Sequence, residues 1–186
     1  MSLFESVNQL LEFEKLSFKF FCDLTWASTY TDHRLKIRKN LYRQTKNKSV
    51  LDLQNIPKLE NQFVSISHCP KIGGYVIADQ NIGLDIEQFQ RLSLSLISRI
   101  SSDSERSLFE KSDLAAIWTI KESVFKCSQG LCKTMTEVQI EKVESYKNKD
   151  FKILKVNSKL NNFKYYVITL ISELEDVCLS FAIERL

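Results

Sequence analysis

Two acidic residues, Asp85 and Glu87, are the first candidates for chemistry in this sequence. They lie in the segment GLDIE at residues 83–87, whose apolar residues predict a β-strand over residues 81–87. Alternate residues of a strand project from the same face, so the two carboxylates would lie side by side. Carboxylates this close repel one another, and burial drives one of them towards protonation unless a metal ion or a basic group separates them. The pair therefore indicates either a cation site or a solvent-facing acidic edge.

A third carboxylate, Glu122, lies on a helix predicted over residues 112–129. Ser112 or Asp113 would cap this helix, and Gly130 would end it. The polar Lys121 falls on the apolar face of the helix and therefore needs a partner. The apolar members of that face are Leu114, Ile117, Trp118 and Phe125.

Glu122 also has a simpler role open to it, an ion pair with Lys126 four residues later. An exposed pair of this kind contributes only about 0.3–0.5 kcal/mol, so it would explain little about stability. The alternative is that Glu122 joins Asp85 and Glu87 around a cation. Spacing alone leaves both readings open.

Three segments of the chain resemble, in order, the motifs of the 4′-phosphopantetheinyl transferases. They are ISHCP at 66–70, IGLDIE at 82–87 and WTIKESVFK at 118–126. The family patterns G-[IVL]-D-[IVL]-E and W-x-x-K-E-[AS] are matched without a gap, and Glu122 follows Glu87 by 35 positions. The resemblance is closest to the larger, surfactin-synthetase-activating type.

The resemblance implies that the phosphopantetheine arm of coenzyme A is transferred to a serine of an apo acyl carrier protein or of a peptidyl or aryl carrier domain (holo-acyl-carrier-protein synthase activity). Asp85, Glu87 and Glu122 would then bind Mg²⁺, with Mn²⁺ as the alternative ion. Mg²⁺ prefers oxygen ligands and keeps positions for water and phosphate, which suits three carboxylates and a pyrophosphate. Either Glu122 or a metal-bound water would deprotonate the serine. The alternative function is a non-catalytic scaffold of the same fold that binds coenzyme A or a carrier protein.

Four further residues match positions that meet coenzyme A in the family. Ser67 and His68 resemble the pair that binds a coenzyme A phosphate. Lys121 and Lys126 resemble the lysines that contact the phosphates and lie near the attacking hydroxyl, which makes Lys126 a catalytic candidate beside Glu122. For Lys126, ordinary solvation on the surface is the competing reading.

A basic stretch runs through an amphipathic helix predicted over residues 32–46, with Thr31 or Asp32 as its cap. It would form a solvated face, a clamp for the 3′-phosphate of coenzyme A, or a dock for an acidic carrier-protein helix. The resemblance makes Arg34 and Arg38 the nearest matches for the clamp. Apart from Tyr42, the stretch lacks interleaved aromatic residues, which argues against nucleic-acid binding. Its members are Arg34, Lys36, Arg38, Lys39, Arg43, Lys46 and Lys48.

The remaining patterns predict an α+β fold with antiparallel sheets and packed helices. A turn at Pro70 and Gly73-Gly74 should separate two strands, and residues 93–111 should form one or two short helices with Ser102 or Asp103 as a cap. The last four strands should form an antiparallel meander. The strands are predicted over 18–26, 62–67, 73–78, 136–143, 151–156, 163–171 and 177–184, with Phe18, Phe20, Cys22, Leu24 and Trp26 on one face of the first.

The resemblance implies two similar halves, residues 1–81 contributing to coenzyme A binding and residues 82–186 carrying the metal motifs, joined as a monomeric pseudodimer. Composition agrees with a globular protein: 186 residues, 44% apolar, 26% charged, net charge +3. Five cysteines without a CxxC pair and only two histidines argue against a zinc site. The sequence shows neither a signal peptide nor a membrane-spanning run, so we expect a cytoplasmic protein without a membrane partner.

Overall fold

The computed structural model is an α+β fold with two antiparallel sheets and several helices, as the sequence predicts. It forms two compact units, Met1–Gln80 and Asn81–Leu186. None of the helices in the described part of the chain is long and apolar enough to cross a membrane. The structure describes residues 3–13, 18–23, 30–55, 57–70, 72–147, 151–173 and 176–185.

The first unit contains a three-stranded antiparallel sheet in the order β1-β3-β2. Its core joins Ile37 and Leu41 of the second helix to Val50, Tyr75 and Ile77. The first helix was not predicted from the sequence. The elements are α1 (Leu3–Phe13), β1 (Phe18–Asp23), α2 (Tyr30–Thr45), a 3₁₀ turn (Lys48–Leu51), β2 (Phe63–Cys69) and β3 (Ile72–Ala78).

Two local predictions in this unit are wrong, and a third lies partly outside the described residues. Helix α2 already begins at Tyr30, so Thr31 and Asp32 lie within its first turn and neither is the cap. Gly73 and Gly74 belong to β3 rather than to a turn, because both pair with β1 and β2 in the ladder. Of the predicted first strand, Leu24 and Trp26 lie outside the described residues.

The second unit contains a five-stranded antiparallel sheet in the order β4-β8-β7-β6-β5. The last four strands form the predicted meander, and β4 adds to it by pairing with β8. The strands are β4 (Ile82–Gln88), β5 (Gln139–Lys147), β6 (Lys152–Leu160), β7 (Phe163–Ser172) and β8 (Val177–Arg185). The helices are α3 (Leu94–Ile100), α4 (Asp103–Arg106) and α5 (Ala116–Cys127), with 3₁₀ turns at Phe89–Arg91, Lys111–Asp113 and Met135–Glu137.

Helix α5 packs across this sheet through Ile117, Ile120 and Val124, which are fully buried. The predicted caps of this helix are wrong: Ser112 and Asp113 lie in the preceding 3₁₀ turn, where the Asp113 carboxylate pairs with Lys152 at 2.6 Å. The position before the helix is instead Ala115, whose side chain has no oxygen with which to cap.

The ends of α4 and α5 follow local sequence signals. Ser102 caps α4 as predicted, in a capping box with Glu105. Helix α5 ends at Cys127, and Gln129 and Gly130 then take positive φ values of 50° and 92°. Gly130 tolerates that conformation because it has no Cβ, which is why it ends the helix.

Candidate active site

A close approach between β4 and α5 creates the candidate site. A Cβ at Gly83 would lie 1.8 Å from the carbonyl oxygen of Ser123 and 2.8 Å from the backbone nitrogen of Cys127. Glycine is therefore required for the helix backbone to pack directly on the strand. Alternation along β4 places Asp85 and Glu87 on the same side as Gly83, towards the helix.

Asp85 is buried, with 5% of its surface exposed, and its Oδ1 accepts a hydrogen bond from Lys126 Nζ at 2.8 Å. The Lys126 ammonium also donates to the carbonyl oxygen of Leu84 at 3.1 Å. Lys126 lies in the last turn of α5, so a side chain from the helix spans to the strand beneath it. This contact gives Lys126 a specific partner, in contrast to the solvated alternative.

Glu122 lies one turn before Lys126, and its Oε1 is 3.8 Å from Lys126 Nζ. Burial raises the pKa of Glu122; the charge of Lys126 opposes this rise, and the charge of Asp85 adds to it. One ammonium group therefore lies between the Asp85 and Glu122 carboxylates, and it offsets their mutual repulsion.

Glu87 is held differently from the other two carboxylates. Its Oε1 accepts hydrogen bonds from the Gln88 backbone nitrogen and from Arg91 Nη1, both at 2.9 Å. Burial raises the pKa of Glu87, and the nearby charge of Asp85 raises it further. The charge of Asp85 thus acts on the Glu87 carboxylate, but the ion-pair partner of Glu87 is Arg91.

The fit of this arrangement to a metal ion rests on its donors. In the part of the chain that the structure describes, no group of three or more histidine, cysteine, aspartate or glutamate side chains is arranged to hold a metal ion. Asp85 and Glu122 nevertheless converge on one cationic group and offer only carboxylate oxygens, the donors that Mg²⁺ prefers. The donor set therefore suits Mg²⁺ at Asp85 and Glu122, whereas Glu87 is directed to Arg91.

Lys121 does not join the carboxylate group. Its side chain is fully buried, and Nζ lies 2.7 Å from Glu105 Oε1 and 2.5 Å from the carbonyl oxygen of Val138. Burial lowers the pKa of Lys121, and Glu105 partly offsets that effect. Glu105 is thus the partner that Lys121 needs as the polar residue on the apolar face of α5.

The sequence patterns above do not identify Glu105 as a functional residue, although it belongs to a recognisable helix-capping motif. The pattern Ser102-x-x-Glu105 is that of a capping box, and the structure forms one. The same carboxylate accepts from the backbone nitrogen of Ile140 at 3.0 Å and from Lys121. It therefore links α4, α5 and the start of β5, a role that local sequence does not reveal. Arg91, the partner of Glu87, was missed as well.

A chain of buried hydroxyl groups lies beside the carboxylates. Thr119 Oγ1 is 2.8 Å from Ser180 Oγ, which is 2.8 Å from Thr169 Oγ1, and all three side chains are fully buried. Ser180 pairs with Asp85 across the β4–β8 ladder. Thr119 Oγ1 also lies 3.1 Å from the carbonyl oxygen of Ala116, to which it can donate. These bonds tie α5 to β8 one turn before Glu122.

In the first unit, Ser67 and His68 lie on β2, opposite Gly74 and Gly73 of β3. Ser67 is buried and His68 is half-buried. Neighbouring residues of a strand project from opposite faces, so the two side chains do not converge on one point.

Arg34 and Arg38 are engaged within the first unit. Arg34 donates to the carbonyl oxygen of Leu53, and Arg38 donates to those of Val50 at 3.3 Å and Asn55 at 2.7 Å. Burial lowers the pKa of Arg38, and the charge of Arg34 lowers it further. Both arginines therefore hold the segment after α2. The exposed members of the basic stretch are Lys36, Lys39, Arg43, Lys46 and Lys48.

The site is built from two elements of an α+β fold: β4 supplies Asp85, and α5 supplies Glu122 and Lys126. The model of the 4′-phosphopantetheinyl transferase superfamily matches residues 81–181, more than half of the chain, and the protein belongs to this superfamily. The match contains β4, α5 and the site between them. Among curated proteins, no significant match was found.

Proposed function

We propose that this protein transfers the 4′-phosphopantetheine group of coenzyme A to a serine of an apo carrier protein, in the manner of the surfactin-synthetase-activating type. The observation that carries the proposal is the convergence of Asp85 and Glu122 on the Lys126 ammonium in a member of a transferase superfamily. The serine oxygen forms a bond to the phosphorus that carries pantetheine, and the pyrophosphate bond breaks. Adenosine 3′,5′-bisphosphate leaves with the bridging oxygen.

In this proposal Asp85, Glu87 and Glu122 hold Mg²⁺, with Mn²⁺ as a substitute. The bound ion would neutralise charge on the pyrophosphate. Glu122 accepts the serine proton, a task that suits a carboxylate whose pKa is raised by burial. Lys126 donates to a phosphate oxygen. Glu87 would bind the ion only after its ion pair with Arg91 is broken. Half of the Arg91 side chain is exposed to solvent, so Arg91 has room to move away.

The remaining coenzyme A contacts are proposed from the resemblance. Ser67, His68 and the basic residues of the first unit would contribute to coenzyme A binding, while the second unit carries the acidic site. We also infer that the two units are related halves of a monomeric pseudodimer that acts in the cytoplasm. Arg34, Arg38 and Lys121 are engaged with groups outside the carboxylate site. Lys126 instead lies between Asp85 and Glu122, and this position supports it as a phosphate contact.

The direct test is to incubate the protein with coenzyme A, Mg²⁺ and several apo carrier proteins, and to follow the mass of each carrier. We expect a phosphopantetheine adduct that does not form when EDTA is present from the start of the reaction. Glu122→Gln should abolish transfer while the protein stays folded, because the replacement keeps the shape of the side chain and removes its charge. Glu141→Gln is the matched control, since Glu141 is an exposed residue of β5.

Coenzyme A binding without an adduct on any carrier would replace the transferase proposal with the scaffold function. Full transfer by Glu122→Gln would rule out the role proposed for that carboxylate.

A further inference from the structure

The Lys126 ammonium occupies the place between two acidic side chains where a divalent cation would be expected to bind. Its Nζ lies 2.8 Å from Asp85 Oδ1, 3.1 Å from the carbonyl oxygen of Leu84 and 3.8 Å from Glu122 Oε1. Three oxygens from a strand and a helix thus surround one positive charge. This is the environment that a cation with oxygen ligands requires.

Two positive charges cannot share that position. Two like charges within hydrogen-bonding reach of the same oxygens repel strongly, and the second charge of a divalent ion doubles this repulsion. Lys126 must therefore leave Asp85 before a divalent cation can bind there. Its flexible stem permits the movement, and a quarter of its side chain is open to solvent.

We propose that Lys126 is an intramolecular competitor of the divalent cation at Asp85 and Glu122. In the metal-free protein the ammonium lies between the two carboxylates and offsets their mutual repulsion. Metal binding displaces the ammonium and thereby frees it to meet an anionic substrate. Metal affinity is accordingly set in part by the strength of the Lys126–Asp85 pair. This inference rests on the metal site of the proposed function.

The test measures binding of Mg²⁺ to the full chain by isothermal titration calorimetry. Lys126→Met removes the competing charge, and we expect it to bind Mg²⁺ about tenfold or more tightly than the wild type, a conservative fraction of the Coulomb repulsion. Lys126→Arg keeps the charge and should bind as weakly as the wild type. Lys133→Met removes an exposed lysine just beyond α5 and should leave the affinity unchanged.

A second measurement covers the case in which Lys126→Met is unstable. Without metal, this variant leaves Asp85 and Glu122 facing each other, so it should unfold at a lower temperature than the wild type. Added Mg²⁺ should then raise its unfolding temperature by more than it raises that of the wild type or of Lys126→Arg.

The proposal is overturned if Lys126→Met binds Mg²⁺ no more tightly than Lys133→Met, or if Mg²⁺ stabilises neither the variant nor the wild type. These outcomes are separate from those of the transfer assay. A wild-type protein that modifies carriers, combined with an unchanged Lys126→Met affinity, would refute the competition alone. Tighter binding by Lys126→Met in a protein that modifies no carrier would refute the transferase alone.

Discussion

At the scale of single residues, Lys121 and Glu105 form a buried ion pair beside the candidate active site. Only 1% of the Lys121 side chain and 12% of the Glu105 side chain are exposed. Such a pair is costly to break, because removing one partner leaves the other charge buried without compensation. This differs from the surface pair of Lys142 and Glu144, whose side chains are 62% and 43% exposed.

Lys121→Met should therefore destabilise the protein by about 3–5 kcal/mol. Adding Glu105→Gln to it should recover part of that loss, because the double variant buries no unpaired charge. Urea unfolding of the wild type, both single variants and the double variant gives the coupling energy. Lys142→Met is the control and should change the free energy of unfolding by less than about 0.5 kcal/mol. A double variant as unstable as the two single losses added together would contradict the expectation.

Glu105 also predicts a pH dependence of stability. Burial tends to raise its pKa, but hydrogen bonds from Lys121, Ser102 and Ile140 outweigh this and hold the pKa below the usual 4.5. A carboxyl group whose pKa is lower in the folded state stabilises the protein above pH 4.5, and this contribution is lost as the pH falls through the folded value.

The wild type should therefore lose stability below pH 4.5 more steeply than the double variant Glu105→Gln/Lys121→Met, which lacks this carboxyl group. All other carboxyl groups are the same in the two proteins, so the difference reports on Glu105. Urea unfolding at a series of pH values measures the difference. Parallel curves for the two proteins would show that the folded structure does not lower the pKa of Glu105.

At the scale of elements, the contact between β4 and α5 depends on the absence of a side chain at Gly83. Gly83→Ala places a methyl group 1.8 Å from a backbone oxygen, which cannot move as the end of a flexible side chain can. We expect a loss of at least about 3 kcal/mol and loss of transfer, since α5 must shift away from Asp85. Thermal unfolding and the carrier assay measure the two effects.

Gly130→Ala is the matched control for Gly83→Ala. Among the described residues, its chain neighbours aside, no atom lies within 4 Å of a Cβ at Gly130, so the φ of +92° is what opposes the substitution. The cost should be about 1–2 kcal/mol. An unfolding temperature of Gly83→Ala equal to or above that of Gly130→Ala would show that the strand and the helix are not in close contact.

The buried hydroxyl chain makes a second prediction about α5. Thr119→Val keeps the shape of the side chain but removes the hydroxyl that hydrogen-bonds to Ser180, and it should cost about 1–3 kcal/mol. Thr119→Ser restores the hydroxyl and should recover most of that stability. Thr136→Val, at an exposed position, should have little effect. Equal stability of Thr119→Val and Thr119→Ser in urea unfolding would mean that the hydroxyl chain does not hold the helix.

The local sequence predicts the elements of the site but not the tertiary contacts between them. Strand alternation around Asp85 and helical spacing around Glu122 predicted the strand and the helix that meet, because both patterns are local. The partner of Lys121 could not be identified in the same way, since Glu105 lies in another helix and the bond depends on tertiary packing. Likewise, alternation showed that Asp85 and Glu87 share a face, but not that Glu87 pairs with Arg91.

At the scale of the whole molecule, the Asn81–Leu186 unit has its own sheet and its own core around α5. Its size is within the range in which single domains fold alone. A fragment of residues 81–186 should therefore unfold cooperatively in urea, as followed by circular dichroism. The same fragment with Gly83→Ala should be less stable. A fragment that lacks a cooperative transition would show that the second unit depends on the first.

The outer strand of the larger sheet, β5, has a further consequence. In the described sheet it pairs with β6 alone, and a register shift between Ile140 and Lys142 marks a bulge in the strand. Charged side chains are exposed along it, among them Glu141, Lys142 and Lys147. A bent, charged edge is a poor template for a strand from another molecule. We therefore expect this edge to disfavour the joining of copies of the protein into fibres, although a row of backbone hydrogen-bonding groups lies along it.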